Sequence, residues 1–137
     1  MSDNNHKTVL MADDDEDDCV LAIEAFRESG AKASLSCVRD GMELMEYLSL
    51  HSGSETKTLP ALILLDLNMP RKNGRTALTE MKSQPALNHI PIVVLTTSGE
   101  PKDITFTIQA GADSFITKPA TFDAWVEMIQ SLAERWL

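Results

Sequence analysis

Six acidic residues in a row, Asp13 to Asp18, stand directly behind the apolar run Val9-Leu10-Met11-Ala12. Adjacent carboxylates at the end of a buried strand are costly unless a cation holds them. Three further apolar runs end in reactive groups. Ala61 to Leu65 ends in Asp66, Ile92 to Leu95 in Thr96-Thr97, and Ser114 to Thr117 in Lys118-Pro119. Carboxylates, hydroxyls and one ammonium at four strand ends make a metal and phosphoryl site. Magnesium takes hard oxygen ligands in near-octahedral geometry and keeps some waters. Asp14 and Asp66 can each give it one carboxylate oxygen, Asp13 can hold a coordinated water, and a backbone carbonyl near Asn68 can add another oxygen. Asp66 can then act as a nucleophile toward phosphorus, as carboxylates do in aspartyl-phosphates. Charge developing on the transferred group needs positive partners and donors, supplied by the Lys118 ammonium and the Thr96 hydroxyl.

The elements that position these residues follow from the alternation of short apolar runs with helical patterns. Strands are expected at about 8–12, 33–38, 61–65, 92–96 and 114–117. Helices are expected at about 17–29, from Asp40 through Leu48, at about 75–83 and 101–110, and from Thr121 to the end. Leu21, Ala22, Ala25 and Phe26 recur at helical spacing, Gly30 marks the exit, Asp40 caps the second helix and Pro85 stops the third. The stretch from His51 to Leu59 reads as a long polar loop. Strands alternating with helices imply a parallel sheet covered on both faces, with ligands beyond the carboxyl ends of the strands.

A chain of 137 residues is one domain, expected over 7–137 behind a flexible stretch at 1–6. Hydrophobic residues at 43% exclude a disordered chain, and a net charge of −9 argues against binding to nucleic acid or to an anionic membrane. The start of the chain lacks the apolar segment of a signal peptide, and no run reaches transmembrane length, so a cytoplasmic protein is expected. Cys19 and Cys37 read as two reduced thiols in or near the core.

Taken together, Asp13-Asp14, Leu64-Leu65-Asp66-Leu67-Asn68-Met69-Pro70 with Gly74, Pro91 to Thr96, and Gly111 to Pro119 resemble the receiver domain of two-component response regulators. Asp66 stands 52 residues after Asp14 and 52 before Lys118, and the likeness covers nearly the whole chain. The resemblance implies a flavodoxin-like doubly wound (βα)5 sandwich with strand order 2-1-3-4-5. It implies that Asp66 accepts a phosphoryl group from a phosphohistidine on a sensor histidine kinase. It implies Mg²⁺ held by Asp14, Asp66 and the Asn68 carbonyl, with Asp13 in the outer shell. Thr96 and Phe115 would be the switch pair and Lys118 the phosphate's partner. Lys118-Pro119 is a candidate cis peptide. Asn68 and Ser98 would flank the phosphate path and tune a slow self-dephosphorylation, so the chain is a switch rather than an enzyme in the ordinary sense. The polar loop before Leu59, the segments Val94 to Ser98 and Ile116 to Pro119, and the ending Ala133 to Leu137 further resemble single-domain regulators paired with bacterial phytochrome kinases. A histidine phosphotransfer protein is a second candidate partner. In this family the face of the fourth helix, fifth strand and last helix often forms dimers, which makes a homodimer there an expectation.

Plainer readings compete with these. Asp15 to Asp18 read as a solvated face, with Asp17 or Asp18 capping the first helix. Asp13, Asp15, Asp17 and Glu24 match four ligand positions of a calcium loop, but Asp18 stands where that loop needs Gly. A magnesium-dependent hydrolase with an aspartyl nucleophile would need a second Asp where Asn68 stands. A nucleotide-binding domain would need a Gly-rich loop after the first strand. Phe115 reads equally as core, Met42, Met45, Met69 and Met81 as packing, and His6, His51 and His89 as surface. In the last helix Trp125, Ile129, Leu132 and Trp136 form the stripe that faces the sheet, leaving Phe122 and Val126 surplus.

Overall fold

The structure is a computed structural model that describes residues 7–52, 59–69, 71–97 and 99–137. The elements are β1 (Lys7–Ala12), α1 (Glu16–Ser29), β2 (Ala33–Val38), α2 (Gly41–Ser52), β3 (Leu62–Leu65), α3 (Gly74–Ser83), β4 (Ile92–Thr96), α4 (Pro101–Gln109), β5 (Ser114–Thr117) and α5 (Phe122–Trp136). The strands pair in parallel in the order β2-β1-β3-β4-β5, the flavodoxin-like order expected. β3 and β4 are buried at every position, whereas the edge strand β2 alternates between half-buried and exposed. This is the pattern of a parallel sheet covered on both faces.

Side chains alternate across the sheet with a period of two. Leu10, Ala12, Ile63, Leu65, Ile92 and Val94 point into one core layer, shared with Leu44 and Leu48 of α2 and Ala77, Leu78 and Met81 of α3. Val9, Met11, Leu62, Leu64, Val93 and Leu95 point into the other, shared with Ala22, Ala25 and Phe26 of α1 and Trp125, Ile129 and Leu132 of α5. Each fully buried Val, Leu, Ile or Met side chain among them contributes about 1.5–3 kcal/mol by leaving water. The order reverses between β1 and β3, so the ends of those two strands lie side by side at the switch point. Backbone pairing runs one residue past each strand: the Asp13 N–H donates to the Val38 carbonyl and the Asp66 N–H to the Ala12 carbonyl, both at 3.0 Å.

Several local expectations are corrected. The cap of α1 is Asp15, two or three residues earlier than Asp17 or Asp18. Its Oδ1 accepts from the Asp17 and Asp18 N–H groups at 2.9 and 3.3 Å. α2 runs on through His51 and Ser52. The His51 ring stacks on Tyr47 at 4.1 Å, and its Nδ1 donates to the Tyr47 carbonyl at 2.7 Å, which extends the helix by a turn. The remainder of that expected loop at 53–58 lies outside the described residues, as do the stretch 1–6 with His6, and Ser98. No described peptide bond is cis, so Lys118–Pro119 is trans, the lower-energy isomer of an X–Pro bond. Val126 is half-buried against the α1/α5 core layer, and only Phe122 of the surplus pair is exposed. Met42 is exposed rather than packed, while Met69 and Met81 are buried.

Candidate functional site

Asp13, Asp14 and Asp66 converge where β1 and β3 leave the sheet. One carboxylate oxygen from each lies within 4.8 Å of the others. Asp13 is 1% and Asp66 6% exposed, while Asp14 faces solvent. Burial pushes the Asp13 carboxyl up to about 6, against the lowering pull of Lys118 and of the Asp15 N–H. The donor set is all hard oxygen with one exposed edge. That suits a divalent hard cation that keeps waters, and such a cation offsets the cost of ionising Asp13.

The side chain of Lys118, one residue past β5, is 7% exposed and reaches across to the carboxylates. Its Nζ lies 2.7 Å from Asp13 Oδ2, 2.8 Å from Asp18 Oδ2 and 3.3 Å from Asp66 Oδ2. Burial would lower the pKa of this ammonium, but Asp13 and Asp18 outweigh it and hold it above the ordinary lysine value. Its backbone N–H donates to the Thr96 carbonyl at 2.9 Å, which fixes the stem of the side chain to the end of β4.

Asp18 is the member of the site that the sequence reading assigned to a solvated face. It is half-buried and shares the Lys118 ammonium. A signal for it existed. Asp18 stands four residues before Ala22 and seven before Ala25, on the stripe of α1 that faces the core, where a carboxylate requires a partner. The cap at Asp15 starts α1 early enough to turn that stripe toward the site. It also removes the calcium-loop reading, because residues 16–24 are helical rather than a ligand loop.

Thr96 is wholly buried as the last residue of β4, and Thr97 is exposed. Phe115 on β5 is half-buried against the core layer shared by α2 and α3. Asn68 is exposed, two residues beyond Asp66, and its N–H donates to Asp66 Oδ1 at 3.1 Å. Both oxygens of Asp66 are therefore addressed, one by an N–H and the other by the ammonium. The loop that carries Asn68 passes so close to α3 that a Cβ on Gly74 would lie 2.1 Å from the Asp66 carbonyl oxygen. Farther along, Arg71 takes a left-handed φ of 61° and donates to Asp40 Oδ2 at 2.8 Å, which braces the loop against the cap of α2. Arg75, which the sequence reading did not single out, donates to Asn68 Oδ1 at 3.3 Å and to Asp103 Oδ1 at 2.8 Å.

The chain resembles proteins of known role over nearly its full length. Residues 9–130 match the response regulator receiver domain profile. Response regulator Rcp1 of Synechocystis sp. is 35% identical over all of this chain and 95% of its own length. The Mn(2+)-bound form of Rcp1 superposes with a TM-score of 0.83, covering 96% of this chain and 94% of that one. The phosphorylated cyanobacterial phytochrome response regulator RcpA superposes with a TM-score of 0.85 at 38% identity, over 96% of this chain and 94% of that one. RPA3017, in red light signalling of R. palustris, does so with a TM-score of 0.85 at 32% identity and the same coverage. With its strand order, its acidic cluster at the switch point and its lysine beside Asp66, this chain belongs to the response regulator receiver domain family, whose members are phosphorylation-dependent signalling proteins.

Proposed function

We propose that Asp66 is the phosphoacceptor, taking a phosphoryl group from a phosphohistidine of a sensor histidine kinase. An Asp66 oxygen attacks phosphorus, the phosphorus–nitrogen bond breaks, and its electron pair returns to the imidazole. The carrying observation is the Lys118 ammonium 3.3 Å from Asp66 Oδ2, with Asp13 and Asp14 beside it. Asp14, Asp66 and the Asn68 carbonyl would hold Mg²⁺, with Asp13 in its outer shell; the bound ion supplies charge neutralisation at the phosphoryl oxygens. Lys118 exchanges a carboxylate contact for a phosphoryl oxygen, and Thr96 offers its hydroxyl to another. Phe115 moves into the space that Thr96 leaves. The added charge of about −1.5 to −2 makes about 1–3 charge-assisted hydrogen bonds, enough to bias a two-state element.

The phosphotransfer is catalysed in part by the domain's own residues, with slow autodephosphorylation tuned by Asn68 and Ser98. Phytochrome regulators among the relatives support a phytochrome kinase as the partner. No described helix is long and apolar enough to cross a membrane, in keeping with a cytoplasmic role. A histidine phosphotransfer protein fits as a second partner by the same chemistry at Asp66. Exposed Ile108 on α4 and Phe122 on α5 support the homodimer through α4, β5 and α5. Incubation with acetyl phosphate and Mg²⁺, followed by mass analysis, tests the acceptor. Wild type gains an acid-stable, base-labile adduct and Asp66→Asn does not; equal labelling of both removes the assignment.

A further inference from the structure

Arg75 holds two groups at once. One guanidinium nitrogen grips the side-chain carbonyl of Asn68 and another grips Asp103, which is buried on α4. A guanidinium has no acceptor, so this contact settles the orientation of the Asn68 amide: Oδ1 faces Arg75 and the NH₂ points away. Asn68 is in turn bonded through its backbone to Asp66. The guanidinium is thus one residue removed from the acceptor carboxylate, and the side chain is a third exposed, with room to move.

Two features give this fork a consequence. First, the Lys118 ammonium is already divided among three carboxylates, so a phosphoryl dianion on Asp66 can use a further positive partner beside Lys118 and the Mg²⁺ proposed above. Forked guanidinium donors suit phosphoryl oxygens. Second, α4 is held lightly. Its only fully buried residues are Asp103 and Thr107, both polar, Phe106 is its one half-buried aromatic contact with the core, and its N-cap Glu100 makes no side-chain capping bond. The Arg75–Asp103 pair is a direct tie between the start of α4 and the start of α3.

We propose that Arg75 is the positioning residue that couples the phosphoryl state of Asp66 to α4: it binds Asp103 when Asp66 is unmodified and turns to the phosphoryl oxygens when Asp66 is modified, releasing the start of α4. This deepens the assignment of Asp66 as phosphoacceptor and rests on it. Asp103 competes with the phosphoryl group for one guanidinium, so the two bind Arg75 in alternation.

The test is calorimetric titration with beryllofluoride, an acyl-phosphate mimic, in Mg²⁺. Arg75→Ala is expected to weaken binding by about 5-fold or more, and Asp103→Asn to tighten it by a similar factor. The double variant is expected to lie close to Arg75→Ala and well away from the sum of the two single shifts, because both substitutions act on one ion pair. Arg75→Lys, which keeps the charge but not the fork, should fall between wild type and Arg75→Ala. Amide hydrogen exchange over 101–109 should rise on mimic binding in wild type, and should already be raised in unliganded Arg75→Ala. Shifts of the same sign in both single variants, or additive shifts in the double, overturn the inference. Wild type that binds no beryllofluoride removes the phosphoacceptor assignment and this coupling with it. Wild type that binds, with variants indistinguishable from it, removes the coupling alone.

Discussion

Replacing Asp13 with Asn changes the charge of the site while keeping its shape, including the acceptor for the Asp15 N–H at 2.9 Å. Burial raises the Asp13 carboxyl from 3.8 to about 6. At about 1.4 kcal/mol per pKa unit, keeping it charged at pH 7 costs the metal-free protein roughly 3 kcal/mol. Solvent at the open edge beside Asp14 screens part of this, which leaves about 1–2 kcal/mol. Lys118 keeps Asp18 and Asp66 as partners in the variant. In chelator at pH 7, Asp13→Asn is therefore expected to melt higher than wild type by roughly 3–8 °C. The sign with pH follows from the raised pKa. The stability tied to neutral Asp13 is complete below about 3.8 and is lost as pH rises through about 6, so the gap between variant and wild type closes as pH falls from 7 toward 5. In Mg²⁺ the order is expected to reverse, because the variant lacks the outer-shell carboxylate proposed for Asp13 and with it about 10–100-fold in metal affinity. Differential scanning calorimetry at several pH values, with chelator and with Mg²⁺, reads all of this. A variant that melts below wild type in chelator at pH 7, or a gap independent of pH, would refute the electrostatic account.

Two further substitutions probe the framework. Lys118→Met leaves Asp13, Asp18 and Asp66 without their shared ammonium, and should lower metal-free stability by about 3 kcal/mol in urea titrations while Mg²⁺ restores part of the loss. An unchanged urea midpoint would show that the ammonium is not what holds the carboxylates together. Gly74→Ala places a Cβ 2.1 Å from the Asp66 carbonyl oxygen, so the loop must shift; a loss of at least about 2 kcal/mol and slower labelling by acetyl phosphate are expected, and wild-type values for both would contradict the close approach.

The framework was legible because it is periodic. The bounds of β2, β4 and β5 agree with the apolar runs that announced them, and the runs that became β3 and β4 were continuous because both of their faces are covered. Asp13, Asp66, Thr96 and Lys118 stand at or just past strand ends, and a parallel sheet places all such ends on one rim. Helix limits were less legible. The extra turn of α2 depends on a ring stack between Tyr47 and His51, and the start of α1 on which of six neighbouring carboxylates folds back to cap it.

Local pattern thus settled the alternating elements and the rim on which the strand-end residues meet, because pleat and helix periods depend only on neighbours along the chain. It did not settle which charges meet. Asp18 reaches Lys118 across 100 residues and Arg75 reaches Asp103 across 28. The raised pKa of Asp13 arises chiefly from burial. Those features depend on how loops and helix ends approach in three dimensions, and Coulomb attraction and desolvation act through that space rather than along the backbone.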